Sequence, residues 1–230
     1  MSRTGRPATR GWFITIEGPE GGGKTTQAEQ LGRHLTTSGR DVRVTREPGG
    51  TWLGERIREV LLTRTASGAP VPDPRTDALL FNAARRQLVD EVIRPALETG
   101  RSVVCARYAD STLAYQGDGA GVPRSTLRTL ADIATDGLTP DLTILLDVPV
   151  EIGLARKAPG DVTRFEAEFD LDFHRRVRAG FLALAEAEPD RFIVVDATAT
   201  EEAVAAAIAA AVDLRLRAGE PGSPPVRSTR

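Results

Sequence analysis

Short β-branched and apolar runs alternate along this chain with longer stretches in which apolar residues return every three or four positions. Trp12 to Glu17 reads WFITIE and stops at Gly18, the pattern of a strand. From Thr25 to Ser38, Ala28, Leu31 and Leu35 keep helical spacing until Gly39 ends the run. Val42 to Thr45 predicts a second strand, and Leu53 to Leu62 a helix carrying Ile57, Val60 and Leu61 on one side. Thr76 to Leu97 predicts one long helix, bent or broken near Pro95, which lacks a backbone donor. Ser102 to Ala106 predicts a third strand and Leu127 to Ala134 a helix. Leu142 to Val148 (LTILLDV) is nearly continuous in apolar residues, as a strand buried on both faces must be. Phe165 to Ala187 predicts a long helix, Arg191 to Asp196 (RFIVVD) the last strand, and Glu201 to Leu216 an Ala-rich closing helix. Strands alternating with helices predict an α/β fold, a parallel five-stranded sheet covered on both faces in three α/β/α layers.

The 230 residues suit one such domain, and no repeat or linker interrupts residues 11–217. Residues 1–10 are basic without a hydrophobic stretch behind them, which predicts a disordered extension rather than a signal peptide. Residues 218–230, rich in Pro, Gly and Ser, predict a disordered tail. A net charge of −2 provides no electrostatic case for nucleic acid or an anionic membrane. No apolar run approaches the ~18 residues of a membrane span. Cys105 is the single cysteine, so no intrachain disulfide forms; its apolar strand predicts a buried thiol, and a cytoplasmic setting is expected. Lys24 and Lys157 are the only lysines among abundant arginines, which makes Lys24 conspicuous.

Lys24 belongs to the most specific local signal. Gly18-Pro19-Glu20-Gly21-Gly22-Gly23-Lys24-Thr25 fits G-x-x-x-x-G-K-[ST], between a predicted strand and a predicted helix. Glycines let successive N–H groups converge on phosphate oxygens, and the helix turns its positive end toward the same anion. In this P-loop Lys24 reaches the β- and γ-phosphates of ATP or GTP and the Thr25 hydroxyl ligates Mg²⁺; Thr26 adds to the nucleotide site. The alternative, a glycine-rich turn with a chance lysine, does not explain the flanking strand and helix.

Four further segments separate the possible P-loop functions. They are Thr45 to Thr51 (TREPGGT), Phe81 to Arg85 (FNAAR), Arg107 to Ser111 (RYADS) and Ala114 to Gly117 (AYQG). With the P-loop, and in this order, they resemble bacterial thymidylate kinases over residues 12 to 215. The resemblance implies an ATP- and Mg²⁺-dependent kinase for dTMP, free of nucleic-acid and membrane partners and working as a homodimer. It also implies roles. Phe81 stacks on thymine, and Arg85, four residues on and on the same helix face, donates to a base carbonyl. Arg58 and Arg107 hold the acceptor phosphate through bidentate guanidinium geometry. Glu47 lies near sugar and phosphate, Tyr115 crowds the sugar 2′ position, and Ser111 and Gln116 contact the base. A lid at residues 156–164 carries Arg156, Lys157 and Arg164 as candidate catalytic cations, since relatives with an acidic P-loop residue such as Glu20 draw cations from the lid. Arg164 with Glu166 reads equally well as capping and ion-pair work at a helix entry.

One departure stands out. Relatives carry Asp-Arg-Tyr or Asp-Arg-His after the third strand, where this chain has Ala106-Arg107-Tyr108. The missing carboxylate belongs near Mg²⁺; Glu17 and Asp110 are the nearby candidates to replace it, although Asp110 also reads as a helix N-cap. With the short lid, this keeps two alternatives open: a kinase for a modified deoxynucleotide, and a catalytically weakened nucleotide-binding paralogue.

Overall fold

The computed structural model describes residues 10–64, 70–158, 160 and 162–218. Strand β1 (Phe13–Glu17) is buried at every position because β3 (Ser102–Ala106) and β4 (Leu142–Asp147) flank it and helices cover both faces. Its apolar sequence satisfies both layers at once. Ile14 and Ile16 face one layer, with α1 (Lys24–Thr37) and α10 (Glu201–Ala218), through Leu31, Leu35, Ile208 and Val212. Phe13 faces the other layer, beside Leu88, Ile93 and Tyr108. The edges are β2 (Val42–Arg46) and β5 (Phe192–Asp196), and their burial is mixed. All four pairings are parallel, in the order β2-β3-β1-β4-β5, the five-stranded three-layer α/β/α architecture expected. In such sheets the order reverses beside β1, which opens a crevice beyond the carboxyl ends of the strands.

Helix α2 (Trp52–Leu62) starts on the Thr51 side chain, which accepts from Gly54 N. The long helix expected at 76–97 is three pieces. Helix α3 (Pro74–Leu88) begins at an Asp73 cap with proline in the first turn, a wider π turn spans Val89–Ile93, and α4 (Arg94–Glu98) contains Pro95. The chain widens ahead of the proline instead of breaking at it. After β3 come a short α5 (Ala109–Thr112) and a π segment, Leu113–Gly119, neither anticipated. Helix α6 (Arg124–Thr135) lies where expected. A further helix, α7 (Val150–Ala155), was also missed.

The single helix expected at 165–187 is two, α8 (Arg164–Glu168) and α9 (Leu171–Ala187). Each carries its own cap: Thr163 and Glu166 form a capping box, and Asp170 accepts from Phe173 N at 2.7 Å. Apolar periodicity runs through this boundary, so only the caps betray it. At the N-terminus, Arg10 is ordered by Asp141, at 3.0 Å, and residues 1–9 of the expected extension lie outside the described residues. Helix α10 includes Ala218, correcting the expected boundary by one residue; 219–230 lie outside the described residues. Cys105 is buried, as expected.

Candidate active site

A cleft of about 1040 Å³ opens beyond the carboxyl ends of β1 and β3. The P-loop forms one wall. Gly21, at φ 70°, packs so closely on α7 that an added Cβ would lie 1.8 Å from the Gly153 carbonyl oxygen. Helix α1 starts after Gly23 without any side-chain cap, so its first N–H groups are left for an anion. Lys24 Nζ donates to the Pro19 carbonyl at 2.6 Å. Burial, helped by the Arg107 charge, pulls its pKa down to about 7. Thr25 and Thr26 also line the cleft.

The opposite wall comes from distant segments. Glu47, joined to Pro48 by a cis peptide bond, follows β2 and is buried. Its Oε2 accepts from Arg85 Nε at 2.9 Å and Nη2 at 2.8 Å, while its Oε1 is buried without a protein partner. Burial raises its pKa against the opposing Arg85 charge. Arg85 also donates to Asn82 Oδ1, Thr112 Oγ1 and the Tyr108 carbonyl, and is only 1% exposed. It therefore braces the wall from behind, whereas Phe81, one helical turn earlier, lines the cleft itself. Arg58 lines the cleft and donates to the Pro48 carbonyl at 3.0 Å.

Arg107 stands between the two walls. Its backbone takes φ 68°, a left-handed conformation costing a non-glycine residue ~1–2 kcal/mol. The turn aims the guanidinium across the cleft: Nη2 donates to Glu20 Oε1 at 2.7 Å, and the group lies 5.0 Å from the Tyr115 ring centroid. Tyr115 Oη donates to the same carboxylate oxygen at 2.8 Å. Although burial alone would raise it, the Glu20 carboxyl is held far below the ordinary range by Arg107, Lys24 and Lys157. The π segment lets Tyr115 and Gln116 line the cleft together with Ser111 and Thr112 of α5. Tyr115 rests on Phe165, Phe173 and Phe181, with centroids 6.0 to 6.3 Å away.

The lid cations separate. Pro159 and Asp161 of the expected lid lie outside the described residues. Arg156 lines the cleft but donates to the Ala197 and Thr198 carbonyls, at 2.7 and 3.0 Å. Lys157 sits 2.7 Å from Glu166 Oε1 and 3.6 Å from Glu20 Oε2. Arg164 sits in an ion pair, the alternative that the sequence offered beside a catalytic role. It is 2% exposed, donates to Leu61 O at 3.1 Å and Asp77 Oδ1 at 2.8 Å, and does not line the cleft. Burying a guanidinium requires a partner, and Asp77 of α3 draws Arg164 inward.

Neither residue expected to replace the missing carboxylate at Ala106 lines the cleft. Asp110 is turned away into a two-bond pair with Arg191, at 2.7 and 3.0 Å; Tyr108, not Asp110, occupies the N-cap of α5. Glu17 is fully buried, accepting from Ser111 Oγ at 2.6 Å and Tyr108 N at 2.7 Å. Burial, with the Asp110 charge, pushes it up to about 7. Ala106 does line the cleft, as does Glu20 of the P-loop. Sequence reasoning missed Phe165 on the lid side and Glu55 on α2, both on the cleft wall. The aromatic spacing Phe165, Phe169, Phe173 was the available signal for the first.

Known proteins resemble this chain over most of its length. The family model described as thymidylate kinase matches residues 16–208. A thymidylate kinase of Thermomicrobium roseum is 55% identical over 210 residues, covering 90% of this chain and 97% of the relative. One from Deinococcus radiodurans is 54% identical over 208 residues, covering 90% and 98%. The crystal structure of thymidylate kinase from Ehrlichia chaffeensis superposes with a TM-score of 0.70 at 34% identity, covering 88% of this chain and 99% of that one.

Proposed function

The chain belongs to the thymidylate kinase family, and from that membership we infer that it transfers a phosphoryl group from ATP to dTMP, giving dTDP on the way to dTTP. One observation carries the site assignment: a single cleft joins Lys24 and Thr25 at one end to Phe81 and Gln116 at the other, with Arg107 between. Its volume lies at the top of the ~300–1,000 Å³ range of ligand sites, as two nucleotides facing each other require.

In this reading, residues 18–26 and the uncapped start of α1 hold the ATP phosphates, with Lys24 on the transferred group. Arg107 and Arg58 hold the acceptor phosphate. Phe81 stacks on the base, Ser111 and Gln116 contact it, and Tyr115 crowds the 2′ position. The unpartnered Glu47 Oε1 is an acceptor for a substrate hydroxyl. Arg85 keeps Glu47 in place; its own contact with a base carbonyl requires the base to reach its edge past Phe81. Arg156 and Lys157 complete the charge around the phosphates. Arg164 holds α8 on α2 and α3. No side-chain base is needed, because the acceptor phosphate has its second pKa at ~6 and is ionised near neutrality.

Mg²⁺ fits the donors present. A hard cation of this kind takes one or two protein oxygens and otherwise substrate phosphates. Thr25 lines the cleft, and among the described residues no cluster of three His, Cys, Asp or Glu forms a dedicated cage. When bound, the ion neutralises charge on the phosphates.

Residues 10–218 act as one catalytic unit, in a cytoplasmic setting. No described helix is long and apolar enough to cross a membrane. The unit works as a homodimer: Trp52 and Val60 on α2, Leu79 on the adjoining α3 and Ile133 on α6 are exposed, and a second copy covers such a face. Light scattering reads its mass directly. An ADP-release assay over nucleoside monophosphates tests the activity: dTMP or a 5-substituted dUMP is turned over in preference to dCMP, AMP and UMP. Equal turnover of UMP or AMP overturns the acceptor assignment.

A further inference from the structure

We propose that Glu20 is an internal placeholder anion: its carboxylate pairs with the phosphate-binding cations of the cleft and sets the threshold an incoming anion must exceed. The inference rests on reading the cleft as a phosphoryl-transfer site. The cationic side chains that line that cleft include Lys24 from the P-loop, Arg58 from α2, Arg107 after β3 and Lys157 from the lid. Glu20 is placed among them. Arg107 Nη2 donates to its Oε1 at 2.7 Å, Lys157 Nζ lies 3.6 Å from its Oε2, and Tyr115 Oη donates to Oε1 at 2.8 Å.

The arrangement copies a bound phosphate oxygen. The Arg107 guanidinium, Lys157 and a phenol converge on one buried anion whose side chain is 11% exposed. Arg107 is further fixed by Ser111 Oγ at 3.3 Å and by stacking on Tyr115, so protein contacts alone hold the cation in place. A phosphate that enters must take these donors from Glu20. Its charge alone then brings little net gain, because one anion replaces another. A nucleotide adds contacts from its base and sugar, and crosses the threshold; inorganic phosphate, with charge only, does not. The carboxylate thus holds the cations assembled while keeping the site from filling with small anions.

Glutamine at this position keeps the shape and the oxygen that accepts from Arg107 and Tyr115, and removes only the charge. Calorimetric titration of inorganic phosphate, and of pyrophosphate, into the full chain is the measurement. Glu20→Gln is expected to bind both anions at least tenfold more tightly than the wild type. Equal or weaker binding by a folded Glu20→Gln overturns the proposal. If that variant does not melt cooperatively, Glu20→Asp takes its place, since one methylene fewer withdraws the carboxylate from Arg107. A severalfold gain in phosphate affinity supports the placeholder role, and no gain overturns it. The test needs no turnover, so it separates from the substrate assignment: loss of dTMP phosphorylation in the wild type would sink that assignment alone.

Discussion

The donor wall of the cleft consists of eight consecutive residues, Gly18 to Thr25, held between one strand and one helix. The acceptor wall is collected from Glu47 after β2, Arg58 on α2, Phe81 on α3, Arg107 after β3 and Tyr115 in the π segment. The first is shaped by backbone, with glycines at Gly18 and Gly21 where an added Cβ would strike a neighbouring carbonyl. The second depends on side chains, and behind them lies the buried network of Arg85, Glu47, Asn82 and Thr112. A local site is therefore separable from the stability of the fold, whereas an assembled site is not. Activity and stability should fall together on the acceptor side and come apart on the donor side.

The largest effect is expected from Arg85→Ala. It strands the buried Glu47 carboxylate, and breaking such a pair costs about 3–5 kcal/mol. Chemical denaturation should show that loss together with lost activity. Unchanged stability would mean the acceptor wall is as separable as the P-loop.

Lys24→Ala is the counterpart. Its ammonium is buried against its preference, its pKa drawn down to about 7, and it donates to the Pro19 carbonyl. The rate should drop about 10²–10³-fold with the melting temperature unchanged or slightly higher. Circular dichroism and the ADP-release assay decide it together; retention of more than about a tenth of the rate removes Lys24 from the transfer step.

Glu17 joins the two walls, ending β1 just before the P-loop while holding Tyr108 N and Ser111. Its pKa of about 7 against an ordinary 4.5 means that the folded chain retains a proton the unfolded chain has released. Its contribution to stability is full below pH ~4.5 and is lost as pH rises to about 7, at most on the order of 3 kcal/mol. Thermal unfolding between pH 4.5 and 7.5 should therefore slope downward in the wild type and be flatter in Glu17→Gln. The same slope in both proteins would place its origin elsewhere.

The smallest effect sharpens the comparison at its seam. Ala106→Asp adds a carboxylate to the cleft lined by Lys24 and Thr25. A severalfold higher rate and a lower Mg²⁺ requirement are expected, within the ~10–100-fold range of groups that support a metal site. Rate measured against Mg²⁺ reads both; no change would mean Glu20 already supplies the charge.

The chain's own order of residues determined everything that depends on neighbours in sequence. Apolar runs placed the five strands and the parallel sheet, because a strand buried on both faces has no freedom in composition. The P-loop was legible for the same reason: spacing, glycines and flanking elements are all local. Phe81, Arg107, Tyr115 and Gln116 were legible through a resemblance, and they do meet at one cleft. What the tertiary structure alone decided is which charged residues are partnered. Arg164 found Asp77 on another helix, Asp110 found Arg191 some eighty residues away, and Glu17 closed on Ser111. Burying a charge is costly unless a partner reaches it, and partners are chosen by folding across long separations. For that reason Arg164 is buried in an ion pair and Glu20 is held by Arg107 across the cleft, and neither pairing could be read before the strands were brought side by side.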